Sequence, residues 1–130
     1  MSDFLDMDLD FTGVDNAPPP PLPRGTYSAR VVDITKKPAK PSTDGRETFP
    51  QVWIQVEVED KKITDFISLH PQNKWKLRAA LEAITGQTLD GPVSTSLFQE
   101  LIGAEVNVVL GQKGRQNDPR IIDNFIESYV

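Results

Sequence analysis

Cysteine is absent from this 130-residue chain. That absence excludes disulfides, a thiolate nucleophile and any cysteine-based metal site, and it suits a reducing cytoplasm. Histidine is nearly absent too: His70, in Leu69-His70-Pro71, is the only one. Metal binding and histidine-assisted catalysis need partners at a defined spacing, and none accompany it, so His70 reads as a loop residue. Carboxylates are scattered rather than paired. Gly111-Gln-Lys-Gly114 lacks the companions of a phosphate-binding loop, and neither a Walker motif nor a nucleophile elbow is present. The expectation is a protein that is not an enzyme, with no catalytic residues, no metal and no cofactor. The N-terminus has no basic stretch, and no apolar run is long enough for a signal peptide or a membrane span. A cytoplasmic location is therefore expected.

What is present is unevenly distributed. The formal charge of -5 argues at first against a polyanionic partner. Residues 1–22, however, contain Asp3, Asp6, Asp8, Asp10 and Asp15 and no Lys or Arg. Removing those five from the 19 acidic residues leaves 14, equal to the 14 Lys and Arg. The acidity belongs to the N-terminal segment, and the remainder is balanced. With 38% hydrophobic residues the chain can build one modest core, hence one domain.

Two parts follow. Residues 1–22 form an acidic, proline-rich flexible tail, its Pro18 to Pro21 run being a stiff, extended spacer. Residues 23–130 form the domain. Thr26 to Thr35, rich in β-formers, predicts a first strand. Lys36 to Phe49 is a long loop broken by Pro38, Pro41, Ser42, Asp44 and Gly45. Pro50 to Glu59 and Lys62 to Leu69 predict a hairpin around Asp60-Lys61. Its simplest register sets Val52 opposite Leu69, Ile54 opposite Ile67 and Val58 opposite Ile63, with Phe66 diagonal to Trp53. Asn73 is positioned to cap a helix from Lys74 to about Thr85, ended by Gly86. Leu77, Ala80, Leu81 and Ile84 make its buried stripe. A short second helix is expected over Ser96 to Ile102, then strands over Glu105 to Leu110 and Ile121 to Tyr129. Five strands with a helix between the third and fourth are the order of the OB-fold barrel, which binds oligonucleotides on strands 2 and 3 and the adjoining loops. A small open α+β sheet is the alternative.

Within Pro50–Val58 the side chains alternate. Val52, Ile54, Val56 and Val58 share the core face. Gln51, Trp53, Gln55 and Glu57 share the face toward water. A large indole on a wet strand face suits a platform on which bases stack; the alternative is a ring covered by a loop or a neighbouring subunit. Phe66 falls on the same face. The loop between strands 1 and 2 carries Lys36, Lys37, Lys40 and Arg46, against Asp44 and Glu47. The loop between strands 4 and 5 carries Lys113, Arg115 and Arg120, against Asp118. Arg30 adds a cation if Tyr27, Ala29 and Val31 point inward. Cations track phosphates while rings stack bases without reading sequence. Lys74-Trp75-Lys76-Leu77-Arg78 is a second basic-aromatic cluster. There Trp75 is expected to pack at the bottom of the barrel, leaving the cations as an ordinary wet face.

The acidic segment has several readings. Phe4, Leu5, Asp6, Asp8, Asp10 and Phe11 mix acidic and apolar side chains in a pattern that docks in a basic, hydrophobic pocket of a partner. The same residues suit a segment that folds back over its own basic groove, a solubility tag, or an extra edge strand from Phe4 to Phe11.

Three stretches carry a resemblance: Leu22-Pro-Arg-Gly-Thr-Tyr-Ser-Ala-Arg-Val, Asn73-Lys-Trp-Lys-Leu-Arg-Ala-Ala-Leu and Leu101-Ile-Gly-Ala-Glu-Val-Asn-Val. With the order of elements, they resemble a family of short tailed-phage proteins known as a domain of unknown function and grouped with OB-fold single-stranded-DNA-binding proteins. The likeness covers most of residues 22–127. The acidic-hydrophobic tip resembles the partner-recruiting tails of bacterial single-strand-binding proteins, although those lie at the C-terminus. The resemblance implies a phage protein of the host cytoplasm that coats and protects single-stranded DNA in replication or recombination, without sequence preference. Replication or recombination proteins would be recruited through the tail, and a homo-oligomer is compatible with such a coat. The competing expectation is an OB-like protein-interaction module, an inhibitor or adaptor whose tail engages a host factor. A virion structural protein is a third.

Overall fold

Alternation of apolar side chains organises the molecule. In the computed structural model, which describes residues 20–130, strand β2 (Gln51–Val58) buries Val52, Ile54, Val56 and Val58 almost completely and leaves the intervening residues half-exposed. The full order is β1 (Gly25–Lys37), β2, β3 (Lys61–Ser68), α1 (Lys74–Thr85), α2 (Ser96–Leu101), β4 (Glu105–Gly114) and β5 (Ile122–Tyr129). The protein is mainly β. Its strands form one antiparallel five-stranded sheet in the order β3-β2-β1-β4-β5. Both helices fall between β3 and β4. Ala80, Leu81 and Ile84 of α1 and Phe98 and Leu101 of α2 join the apolar residues of the sheet in one core. Gly86 ends α1 in the left-handed conformation (φ 72), its N–H donating to Glu82 O at 2.8 Å. Asn73 does not cap with its side chain. Its backbone is already helical, because a turn closed from Asn73 N to His70 O runs straight into α1, whereas a capping residue needs an extended backbone. Expectations for the acidic segment (Phe4, Leu5, Asp6, Asp8, Asp10 and Phe11) lie outside the described residues.

The β2–β3 register differs from the expected one. Val52 pairs with Ile67, Ile54 with Asp65, Val56 with Ile63 and Trp53 with Phe66. The two-residue shift keeps every side chain on its expected face, because the pleat repeats every two residues. It also brings Phe66 directly opposite Trp53 rather than diagonal to it. The cause is the turn, which is Glu59-Asp60, at φ 48 and 69, rather than Asp60-Lys61. Two successive positive φ angles make the tight hairpin turn whose twist matches the strands, and aspartate tolerates that conformation better than lysine does. Glutamate is the costly member. Glu59→Asn combined with Asp60→Gly should stabilise the fold by about 1 kcal/mol, seen as a raised urea midpoint; an unchanged midpoint would contradict this account of the turn.

A second irregularity sits in β1. The pairing with β2 skips Val32, between Val31 (opposite Val56) and Asp33 (opposite Gln55). This bulge reverses the phase of the strand. Ala29 and Val31 face the core before it, and Ile34 does so after it. Lys37 consequently shares the wet face with Trp53, while Lys36, opposite Val52, lies on the other face.

The hydrogen-bonded order leaves β3 and β5 as its two edges. The side chains of Tyr129 and Asp65 link them, the phenol hydroxyl donating to Asp65 Oδ2 at 3.0 Å. Burial, then the Asp65 charge, pushes the Tyr129 phenol far above its ordinary range. Burial likewise raises the Asp65 carboxyl, with the Tyr129 hydrogen bond and the Lys76 charge acting in the opposite direction. Contacts with the sheet reach back past Leu22, whose N–H donates to Asn124 Oδ1 at 2.8 Å and whose carbonyl accepts from Gln112 Nε2 at 2.9 Å.

Candidate functional site

The wet face of β1, β2 and β3 is a small grid of side chains set by the pleat. Its rows, read across the strands, are Arg30–Glu57–Lys62, Asp33–Gln55–Thr64, Thr35–Trp53–Phe66 and Lys37–Gln51–Ser68. Trp53 is fixed from three directions. Phe66 meets it edge-to-face, centroids 4.9 Å apart and planes at 84°. Lys37 Nζ lies 4.8 Å from the indole centroid. The indole N–H donates to Gln51 Oε1 at 2.8 Å. Trp53 is thus half-buried and held, while Phe66 is 58% exposed. Beside Trp53 the β1–β2 loop returns with Lys40 and Phe49, enclosing a hollow of about 350 Å³. Phe49 also packs edge-on against His70, 4.6 Å between centroids, and His70 Nδ1 accepts the Gln72 N–H at 3.0 Å. This histidine shapes the turn before α1.

Phe66 is common to two further hollows. One is the cleft between β3 and β5, about 770 Å³, where Lys113 and Arg115 meet Lys61 and Lys62. The other, about 270 Å³, lies between Phe66, Ser68, Trp75 and Lys76. The expected cations therefore divide. Lys37 and Lys40 gather at the Trp53 end of the grid, and Lys113 and Arg115 gather at the opposite end, near the β2–β3 turn. Lys36 lies on the other face of the sheet. All four of the expected arginines are matched to carboxylates: Arg30 with Glu57 (3.1 Å), Arg46 with Asp44 (3.0 Å), Arg115 with Asp123 (2.8 Å) and Arg120 with Asp118 (3.0 Å). The carboxyls of Asp44, Asp118 and Asp123 are held below their ordinary value, foremost by hydrogen bonds from Ser42, Arg120 and Arg115 respectively. Exposed pairs of this kind are weak and screened by salt, so a stronger anion can displace the carboxylate. Lys113 instead sets its ammonium 5.3 Å from the Phe125 ring. That ring lies across Gly111, where a Cβ would come within 2.6 Å of it.

Trp75 corrects the expectation that it packs at the bottom of the barrel: it is 64% exposed, with Lys76 Nζ 5.8 Å from its ring. The helical period accounts for this. Trp75 precedes Leu77 by two positions, and residues so spaced face away from each other. Counting from the stripe Leu77, Ala80, Leu81 and Ile84 would have placed it outside. Lys61 and Lys62 are the other residues that the sequence reading left out. They would have been visible had the turn been set one residue earlier. Among the described residues no helix is long and apolar enough to cross a membrane, and no group of three or more His, Asp or Glu is placed to hold a metal. Compared with models of known protein families and with curated proteins, the chain matches none.

Proposed function

We propose that the protein binds single-stranded DNA without sequence preference, as an OB-type barrel of phage origin that coats exposed strands during replication or recombination. The observation that carries this reading is the Thr35–Trp53–Phe66 row on a wet sheet face, with cations at both ends of the grid to which it belongs. The order β3-β2-β1-β4-β5, with helices between β3 and β4, suits a barrel that would close between β3 and β5. A strand laid along the grid would stack on Phe66 and on whatever face of Trp53 Lys37 vacates, and Trp75 extends the aromatic path. Lys37, Lys40, Lys61, Lys62 and Lys113 would neutralise phosphates.

Titration with oligothymidylate, followed by tryptophan fluorescence, tests this directly. Five phosphates neutralised correspond to a slope of log affinity against log salt of roughly −3 to −4. Double-stranded DNA should bind more weakly at every salt concentration. The competing reading is a protein-interaction module, favoured by the carboxylate partners of Arg46, Arg115 and Arg120. A flat salt response, or no quenching at low salt, would decide for it.

A further inference from the structure

The two edge strands and the start of the described chain meet at one place. Pro21 lines the cleft between β3 and β5, and Lys61 Nζ donates to Pro20 O at 2.6 Å. The described chain therefore begins at the mouth of this cleft, with residues 1–19 preceding it in sequence. Its rim carries Lys61, Lys62 and Lys113, none of them in an ion pair among the described residues, and its wall includes Ile63, Ile122 and Phe125. The preceding segment is chemically complementary. It holds five aspartates and no Lys or Arg, and from Leu5 to Phe11 apolar and acidic residues strictly alternate. In an extended chain that pattern sets the apolar side chains on one face and the carboxylates on the other. Neither β3 nor β5 has a second ladder among the described residues, and such edges accept an added strand.

We propose that Leu5–Phe11 docks in the β3–β5 cleft of its own chain. Leu5, Met7, Leu9 and Phe11 would lie against the apolar wall, and Asp6, Asp8 and Asp10 toward Lys61, Lys62 and Lys113. Residues 12–19 span up to roughly 26 Å when extended, ample for the return. A tether this short gives an effective concentration on the order of millimolar, which favours the same chain over a second copy.

The absence of cysteine makes the test simple. Asp3→Cys provides a single attachment point for a nitroxide on the full-length chain, studied without nucleic acid and so independently of DNA binding. The amide signals of Lys61–Thr64 and Ile122–Phe125 should broaden severalfold more than those of Leu97–Leu101. The triple change Asp6→Asn, Asp8→Asn and Asp10→Asn should remove the difference. Uniform or absent broadening would overturn the proposal. So would broadening that appears only in isotope-labelled molecules mixed with separate nitroxide-bearing ones, since that would mean a second copy.

Discussion

Phe66→Ala should weaken binding to oligothymidylate by about 5- to 150-fold, the equivalent of ~1–3 kcal/mol for a lost stacking contact. The ring is more than half exposed and sits on the wet face, opposite Trp53 and away from Val52, Ile54 and Val56. Thermal stability should therefore change little. Trp53→Ala should cost at least about 1 kcal/mol of affinity, and it also releases Lys37, whose ammonium loses the indole beneath it. Phe66→Tyr keeps a stacking face and should restore most of the affinity. An unchanged dissociation constant for Phe66→Ala, measured by anisotropy at low salt, would remove stacking from the account. Parallel loss with single- and double-stranded DNA would point instead to a general electrostatic surface.

Tyr129→Phe should destabilise the fold by about 1–3 kcal/mol at neutral pH, the cost of leaving a half-buried acceptor unsatisfied. The hydroxyl is the partner of Asp65 across β3 and β5, and without it Asp65 keeps its burial and loses the bond that favours its charged form. The pH dependence follows from the raised Asp65 carboxyl. A group whose folded value lies above its unfolded value of 3.8 contributes stability that is complete below 3.8. That contribution is lost as pH rises through the folded value. Asp65→Asn, which retains an acceptor for Tyr129, should thus be more stable than the parent at pH 7. The advantage should shrink as pH falls toward 3.8. Urea denaturation at several pH values checks both variants. A constant difference between Asp65→Asn and the parent across that range would show that Asp65 titrates normally.

Much of the fold was legible because the residues concerned obey one local rule. Val52, Ile54, Val56 and Val58 fix the phase of β2, and Leu77, Ala80, Leu81, Ile84 and Gly86 fix the face and end of α1. The wet position of Trp53 follows from the first of these. The exact pairing of the hairpin did not, since a two-residue shift preserves every face and only the backbone of Glu59 and Asp60 distinguishes the alternatives. The site was legible in its composition and less so in its arrangement. Lys36 and Lys37 take opposite faces by simple alternation, and nothing in Val31-Val32-Asp33 marks the skipped residue that decides which of them joins Trp53. The partnership of Arg115 with Asp123 needs the β4–β5 pairing to bring residues eight apart together.

The skipped Val32 has a consequence for how this surface tolerates change. The direction in which Lys37 points is decided five positions upstream, inside a strand paired on both sides, before the chain leaves the sheet. Insertions or deletions between Pro38 and Pro50 would alter the reach of Lys40 and Phe49 while leaving the ammonium over the indole in place. The connection is thus at liberty to vary in length and composition, adapting to different ligands, on top of an anchor that does not move with it.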